Sequence, residues 1–343
     1  MPNLHSKPAL LATALITYAA LSLSAAKPPT TTLQGTRDNQ PTTKQHAPQP
    51  FLPQFSTGFE PSEYHPNNPN EITWMLFDNT SPIPGATPWN MSIFYENVGD
   101  INDRHAQLAP DPTDPTNTVL HFWLKNALVE TGFNNHTKGR IQSGFPGHLN
   151  NATEIYSKQR MFIHEDLNLL HSYPPNADQW WLGIIIQELW LGAAWEGHPN
   201  PSAIGLTIFS YQNNFYLNIL NRAMPELDAI WEYTNVMTPI PVGEWFDIEI
   251  AYKMGDENTG RFVIAITPDS TNIRTVLFNI TNITYDPDAD LPDATGPVPA
   301  THWNPQKIYA SDNTIHHIRD NGGTAQFYFD DFEFSGQWPT DFP

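Results

Sequence analysis

The 343-residue sequence predicts an all-β protein built as an antiparallel β-sandwich. Apolar and polar residues alternate with a period of two over residues 154–164 and 245–252, the pattern of a strand with one face toward the core. Other apolar runs are short and are broken by Pro, Gly and Asn. Helical periodicity is scarce, so strands are expected to carry the fold.

Turn residues separate these runs at fixed places. Residues 212–214 (QNN) and 256–260 (DENTG) are hairpin signals between flanking strands. Single helical turns are expected only at residues 167–170 and 224–230. The connections between strands are long, which is typical of a β-sandwich of the jelly-roll kind with long loops. Further strands are predicted at residues 119–123, 180–190, 203–210, 215–220, 261–267 and 325–334.

The N-terminal part of the chain differs in composition from the rest. Residues 1–26 combine a weakly charged start, an apolar run and a small-residue end, which predicts a signal peptide and hence a secreted protein. Residues 27–50 are rich in Pro, Thr and Gln with few large apolar residues, which predicts a disordered linker. Residues 51–343 are expected to form one jelly-roll domain.

Composition limits the possible partners. The chain has 16 basic and 36 acidic residues and a net charge of −20, which disfavours nucleic acid and anionic membranes as partners. It contains no Cys, so disulfides, thiolate metal sites and a cysteine nucleophile are excluded. An aromatic content of 12% suits a large core and surfaces that stack on sugar rings. A monomer without an organic cofactor, acting on polysaccharide, is expected.

A local basic region stands out against this acidity. Lys138 and Arg140 alternate in one predicted strand, and Lys158 and Arg160 alternate in the next. If these strands are neighbours in one sheet, their outward faces form a basic strip. The same faces would also carry Gln142, Tyr156 and His164.

The order of these strands resembles the concanavalin-like jelly-roll polysaccharide lyases of the alginate, glucuronan and heparin-lyase-like groups. The resemblance runs from KGRIQ through IYSKQRMFIH, WLGIIIQELW and VGEWFDIEIAYKMG to FYFDDFEF. Such lyases carry an Arg on one strand, a Gln-x-His on the next and a Tyr near the end of the groove. The resemblance places Arg140 and Gln187 at the first two positions. Leu189 occupies the His position, so His164 and Tyr156 are the expected substitutes.

The resemblance implies β-elimination from a uronic acid. The proton α to the carboxylate becomes acidic enough only when the carboxylate charge is neutralised, the role expected of Arg140 and Gln187. A side chain must then take that proton, and the same or another group must protonate the leaving oxygen. Tyr156 and His164 are the candidates for these transfers. Flanking acidic sugars would be held by Lys138, Gln142, Lys158, Arg160 and Trp190.

Two other functions remain open. A glycoside hydrolase needs two carboxylates; Glu188 lies on a very apolar strand, which is expected to raise its pKa as a general acid requires, with Glu154 or Glu244 as partner. A non-catalytic glycan-binding module would use clustered Trp side chains to stack on sugar rings. The Trp residues close together in sequence are Trp180, Trp181, Trp190 and Trp195.

Carboxylates near both ends of the predicted domain suggest a structural Ca²⁺. Glu60 lies in the opening segment, and Asp330 and Asp331 lie in the closing strand. Calcium prefers several hard oxygen ligands, and these residues could tie the first strand to the last. His316 and His317 lack a third ligand at a useful spacing, so no zinc site is predicted.

Overall fold

The structure is a computed structural model that describes residues 55–66, 75–77, 92–95, 102–127, 138–144, 149, 152–174, 183–192, 202–223, 229–285, 300–340 and 342–343. The predicted signal peptide and linker lie outside these residues. So do residues 180–182 of one predicted strand and most of the predicted helical turn at 224–230. Among the described residues, no helix has the length and apolarity needed to cross a bilayer.

Two antiparallel sheets contain the described strands. One sheet has eight strands and runs in the order β15-β14-β13-β8-β18-β6-β5, with β1 pairing to β18. Its strands are β1 (Phe55–Thr57), β5 (Arg104–Pro110), β6 (Thr118–Leu124), β8 (Glu154–Ile163), β13 (Trp245–Lys253), β14 (Arg261–Pro268), β15 (Thr275–Thr281) and β18 (Ala325–Ser335).

The other sheet has ten strands and runs in the order β12-β11-β10-β9-β17-β7-β4-β3-β2, with β16 pairing to β9. Its strands are β2 (Tyr64–Pro66), β3 (Met75–Phe77), β4 (Ser92–Tyr95), β7 (Lys138–Gly144), β9 (Gly183–Leu191), β10 (Ser202–Tyr211), β11 (Asn214–Ala223), β12 (Ala229–Asn235), β16 (Ala300–Asn304) and β17 (Lys307–Ser311).

The sheets pack face to face and share one core, which confirms the predicted antiparallel β-sandwich. On β8, Ile155, Met161 and Ile163 lie in this core, as the alternation predicts. On β9, Ile184 and Leu189 point into the same core from the opposite sheet. Both hairpins are confirmed as well: β10 pairs with β11 across the turn at residues 212–213, and β13 pairs with β14 across residues 254–260.

The expected pairing of β7 with β8 is wrong. β7 lies in the ten-stranded sheet between β17 and β4, whereas β8 lies in the eight-stranded sheet between β13 and β18. The outward faces of the two strands are therefore on opposite sides of the sandwich. Lys138 and Arg140 lie on one side, and Lys158 and Arg160 lie on the other, so the single basic strip does not exist.

The last strands of the chain lie in the middle of both sheets. β17 is inserted between β7 and β9, and β18 is inserted between β8 and β6. Each is hydrogen-bonded on both sides to strands that come much earlier in the sequence. The C-terminal segment therefore joins the two halves of each sheet.

A buried chain of polar groups crosses the core. Ser143 on β7 bonds the side chain of Gln306, whose Nε2 donates to Gln159 Oε1 on β8 over 2.6 Å. Gln159 Nε2 in turn donates to the carbonyl of Pro305 at 3.0 Å. All three side chains are buried. Because each finds a partner, this polar contact between the sheets avoids the cost of unpaired buried groups.

Three helical segments accompany the sheets in the described residues. A short 3-10 helix spans Pro61–Glu63. A second spans Glu165–Ser172 and includes the turn predicted at residues 167–170. The α-helix α1 (Asp312–Asp320) was not predicted; the Ser311 hydroxyl accepts a bond from Thr314 N as its N-cap, and Ile315 and Ile318 face the core.

Candidate active site

The outer face of the ten-stranded sheet carries a cluster of charged and aromatic side chains. Antiparallel pairing places Tyr309 of β17 beside Arg140 of β7, and Lys307 beside Gln142. Ile308 and Ala310, between them, belong to the core, so the alternate residues point outward. We call the surface formed by six of these outward side chains the basic face. Its members are Lys138, Arg140, Glu188, Arg222, Lys307 and Tyr309.

Tyr309 lies at the centre of the basic face. Lys138 Nζ, Arg140 Cζ and Lys307 Nζ lie 5.1, 5.2 and 5.0 Å from the centre of its ring, within the range of cation–π attraction. Lys138 also forms a hydrogen bond with Tyr309. One phenol is thus surrounded by three basic side chains on a protein whose net charge is −20.

Glu188 is the carboxylate of the basic face, and it is fully enclosed. Arg222 Nη2 lies 2.8 Å from its Oε1, and Lys307 Nζ bonds its Oε2. Glu188 is 1% exposed and Lys307 0% exposed. A buried carboxylate held between two cations is a fixed anion that positions Lys307 and Arg222. Glu188 is therefore an ion-paired carboxylate and not an isolated acid.

The pKa values follow from these contacts. Burial alone would raise the pKa of Glu188, but Lys307 and Arg222 outweigh burial and hold the pKa at about 2. The expectation that the apolar strand raises this pKa is therefore wrong, because the cations come from distant parts of the chain. Burial raises the pKa of Tyr309, while the charges of Lys138 and Arg140 oppose that rise.

Among the described residues, no side chain fills the position beside these groups at Gly205 on β10. It pairs with Glu188 on one side and with Leu220 on the other, so its missing side chain would point outward. A Cβ placed there meets no atom of the described chain within 4 Å. A glycine inside a strand often marks a close approach of a ligand to the backbone, and here the approach would lead to Glu188 and its neighbours.

The predicted site residues divide between three locations. Lys138, Arg140, Gln142, Glu188 and Trp190 lie on strands that place them on the outer face of the ten-stranded sheet. Gln187 pairs with Leu206 of the core and is 4% exposed, so it does not join Arg140. The remaining candidates lie on the side of the eight-stranded sheet: Tyr156, Lys158 and Arg160 on β8, and His164 directly after it.

Tyr156 and His164 have structural partners on that other side of the sandwich. The Tyr156 hydroxyl donates to Glu249 Oε1 at 2.8 Å, and its ring packs edge-on against Phe342. His164 caps the 3-10 helix by accepting a bond from Asp166 N at 3.2 Å. Neither side chain reaches Arg140, so the expected combination of Arg140 with Tyr156 or His164 is wrong.

Lys158 and Arg160 line a separate cavity of about 470 Å³, together with Asp247, Asp331 and Glu333 among others. Lys158 Nζ lies 2.8 Å from Asp247 Oδ2, and Arg160 Nη2 lies 2.5 Å from Asp269 Oδ2. Acidic side chains therefore compensate both cations, which makes this cavity a poor match for an acidic sugar.

Replacing Lys158 and Arg160 by alanine, singly, is expected to change catalytic activity by less than about twofold. Exposed ion pairs of this kind contribute little to stability. In addition, both side chains lie across the sandwich from the basic face. Initial rates of glycan cleavage by each variant measure this. A loss of activity comparable to that of Arg140→Ala would contradict the location of the site.

Two of the predicted calcium ligands lie beside Gly58, since a Cβ built there would be 3.9 Å from Glu60 Cγ and 4.0 Å from Asp330 Oδ1. Asp331 lines the cavity beside Lys158 and has a left-handed backbone with φ of 45°. Glu60 is exposed, and Asp330 accepts bonds from Asn117 and from the backbone of Asp331. No group of three or more His, Asp or Glu side chains in the described ranges is arranged to hold a metal ion. The calcium site thus remains a prediction.

Three members of the basic face were missed from the sequence. Lys307 and Tyr309 alternate with Ile308 in KIYAS, a short strand signal that follows Pro305 and Gln306. Arg222 comes three residues after the core residue Ile219 at the end of β11, which places it on the opposite face of the strand. These patterns indicate outward side chains, but only the sheet order shows that they surround Glu188.

No family model matches the sequence. No curated protein matches it either.

Solved structures with a similar arrangement of strands include polysaccharide lyases. An endo-β-1,4-glucuronan lyase from the fungus Trichoderma reesei matches with 14% identity and a TM-score of 0.38, over 70% of this chain and 90% of that one. The alginate lyase Aly36B matches with 11% identity and a TM-score of 0.35, over 63% and 80%. A PL-14 alginate lyase from Aplysia kurodai matches with 8% identity and a TM-score of 0.41, over 68% and 87%.

Lyases of the alginate and glucuronan groups, which the sequence was predicted to resemble, are among these structures. At these TM-scores the likeness is one of general architecture.

Proposed function

We propose that this protein is a polysaccharide lyase that cleaves a uronic-acid-containing glycan by β-elimination on the basic face. The observation that carries the proposal is the ring of Tyr309 among Lys138, Arg140 and Lys307. A proton-transfer group beside several cations is what elimination next to a carboxylate requires. The proposal keeps the predicted role of Arg140 and replaces Tyr156 and His164 by Tyr309.

Arg140 and Lys138 bind the substrate carboxylate, and their charge stabilises the negative charge that develops on it. Both side chains are partly exposed, so a ligand can reach them. Lys307 is fully buried, and burial lowers its pKa to about 7 although Glu188 favours the charged form. When protonated, Lys307 adds positive potential from below, and Glu188 fixes its position. Glu188 is thus a positioning residue for Lys307 and Arg222.

Tyr309 carries out the proton transfers. Its phenolate takes the proton from the carbon α to the carboxylate, and the electron pair of that bond forms the new carbon–carbon double bond. The bond from the β carbon to the glycosidic oxygen breaks, and the phenol returns its proton to that oxygen. Lys138, hydrogen-bonded to Tyr309, and Arg140 stabilise the phenolate. No water is consumed, so one product carries an unsaturated sugar at its new end.

A glycoside hydrolase based on Glu188 receives less support. A general acid must hold a proton near neutral pH, whereas the pKa of Glu188 is lowered to about 2 by Lys307 and Arg222, which outweigh its burial. Glu154 is also unsuitable as its partner, because it lies on β8 in the other sheet and pairs with Lys253. A glycan-binding module without catalysis remains the second candidate, since the basic face would bind an acidic glycan in either case.

One assay separates these functions. The protein is incubated with acidic and neutral glycans while ultraviolet absorbance and reducing ends are followed together. A lyase produces both signals, because the unsaturated uronate absorbs; a hydrolase produces reducing ends alone; a binding module produces neither. Reducing ends without absorbance would overturn the proposal.

Gly205→Val is expected to abolish most of the activity while leaving the fold intact. The added side chain projects into the open space beside Glu188 and displaces a bound glycan, and misplacement by about 1 Å costs on the order of 100-fold in rate. Valine suits a strand interior better than glycine, so the free energy of unfolding should stay the same or increase. Turnover and denaturant midpoints measure the two effects.

The matched control is Thr275→Val on β15 of the other sheet, which should leave turnover unchanged. Full activity of Gly205→Val would show that no ligand passes over this part of β10.

The predicted export of the protein through residues 1–26 belongs to the same proposal, because polymeric glycans of this kind are found outside the cell. Sequencing the N-terminus of protein recovered from the medium tests it.

A further inference from the structure

The pairing registers define a transverse row of outward side chains across the ten-stranded sheet. It begins with Arg140 and Tyr309 and continues through Ile185, which pairs with Tyr309 on one side and Thr207 on the other. Five strand spacings of about 4.8 Å give the row a length of about 24 Å, enough for several sugar residues. The remaining members, on β10, β11 and β12, are Thr207, Asn218 and Thr234.

Charge is distributed unevenly along this row. The end on β7 and β17 carries Lys138, Arg140 and Lys307. Among the described residues of β10, β11 and β12, Arg222 is the one cation, and it is paired with Glu188 at 2.8 Å. Positive charge is therefore available to bind a uronate at the β7–β17 end of the row. At the other end the one cation is already paired with a carboxylate.

The β11–β12 end instead offers neutral hydrogen-bonding groups and a carboxylate. Asn218 Nδ2 donates to Glu232 Oε1 at 2.7 Å and to Thr234 Oγ1 at 2.8 Å. Glu232 pairs with Leu220, so it lies on the outer face, and it is exposed. It can accept bonds from sugar hydroxyls, and it repels a second substrate carboxylate.

Aromatic rings lie on the same face next to this end of the row. Phe209 and Tyr216 pair across β10 and β11 with ring centres 6.2 Å apart, and Tyr211 lies 6.3 Å from Tyr216. Tyr211 is 48% exposed. Exposed rings stack on the apolar face of a sugar, and this contact does not need a charged group on the sugar.

From this arrangement, and resting on the proposed lyase function, we infer that the substrate is a mixed glycan. A uronate occupies the end at Arg140 and Tyr309, and uncharged sugar residues occupy the end at Thr207, Asn218 and Thr234. A polymer made of uronates alone would place a carboxylate against Glu232. The structure thus selects glycans in which uronates alternate with uncharged sugars.

The test compares kcat/KM of the wild-type protein and of Glu232→Lys on two substrate classes. Polyglucuronate and polymannuronate represent the uniform polymers; hyaluronan and unsulfated chondroitin represent the alternating ones. Unsaturated product is the readout. The wild type should prefer the alternating polymers. Glu232→Lys should raise kcat/KM on the uniform polymers about twofold to fivefold, the effect of one exposed charge contact, without a gain on the alternating ones.

Glu257→Lys is the matched control, since Glu257 is an exposed acid in the turn after β13 and the substitution changes the net charge equally. It should leave the ratio between the two classes unchanged. Cleavage of uniform polymers in preference to alternating ones, or a ratio that Glu232→Lys leaves unaltered, would overturn the mixed-glycan inference while the lyase function stands. Absence of unsaturated product from every polymer would overturn both.

Discussion

Tyr309→Phe is expected to lower turnover by a factor on the order of 10²–10³ while the protein stays folded. Phenylalanine keeps the ring between Lys138, Arg140 and Lys307 but loses the hydroxyl that transfers the proton, and general acid–base catalysis contributes rate factors of this order. In the active wild type the rate should increase from neutral into alkaline pH, because burial raises the pKa of Tyr309 and the phenolate is the base. Steady-state rates and denaturant midpoints measure both effects.

Arg140→Ala should cause a loss of similar size, since neutralisation of the developing charge is worth about 10²–10³ in rate. Arg140→Lys should recover part of it, because one charge is restored without the planar guanidinium. Tyr156→Phe on the other sheet is the matched control for the tyrosine and should retain the wild-type rate. If Tyr156→Phe were inactive and Tyr309→Phe active, the site would have been placed on the wrong side of the sandwich.

Glu188→Ala is expected to destabilise the fold by about 3–5 kcal/mol, the cost of breaking a buried ion pair by removing one partner. The variant leaves Lys307, which is 0% exposed, without its carboxylate. Denaturant unfolding measures the loss. The double variant Glu188→Leu with Lys307→Met should recover most of it, because replacing a buried pair with apolar residues is often neutral. If Glu188→Ala were as stable as the wild type, the structural role of the pair would be contradicted.

The same pair determines how stability responds to acid. The Lys307 and Arg222 charges hold the pKa of Glu188 at about 2 against its burial, below the ordinary value of 4.5. The ionised carboxylate therefore stabilises the folded state fully above pH 4.5, and this contribution is lost as the pH falls toward 2. Unfolding experiments over this range should show a steeper loss for the wild type than for the double variant.

Local structure was predictable from the sequence because its signals are local. The alternation on β8 and β13 and the turns of two hairpins each depend on residues close together in the chain. The pairing of β7 and β8 failed for the opposite reason: strands that follow one another here lie in different sheets, and nothing within either strand specifies its neighbour.

The site was predictable only in part, since its charges come from separate regions. Arg140 was identified from its own strand. The environment of Glu188 was not, because Lys307 is 119 residues away and Arg222 is 34 residues away in the sequence. The apolar strand around Glu188 predicts a raised pKa. The pKa is lowered instead, because Lys307 and Arg222 outweigh the effect of burial.

The central position of β17 and β18 has a consequence for how the chain folds during synthesis. Until residues 307–335 are made, β6, β7, β8 and β9 have unpaired edges in the middle of each future sheet. Contacts of this sequence separation form slowly, and open edges invite pairing with other chains. The domain can therefore complete its core only after β17 and β18 have been synthesised, and chains that stop before Lys307 are aggregation-prone fragments rather than smaller folded proteins.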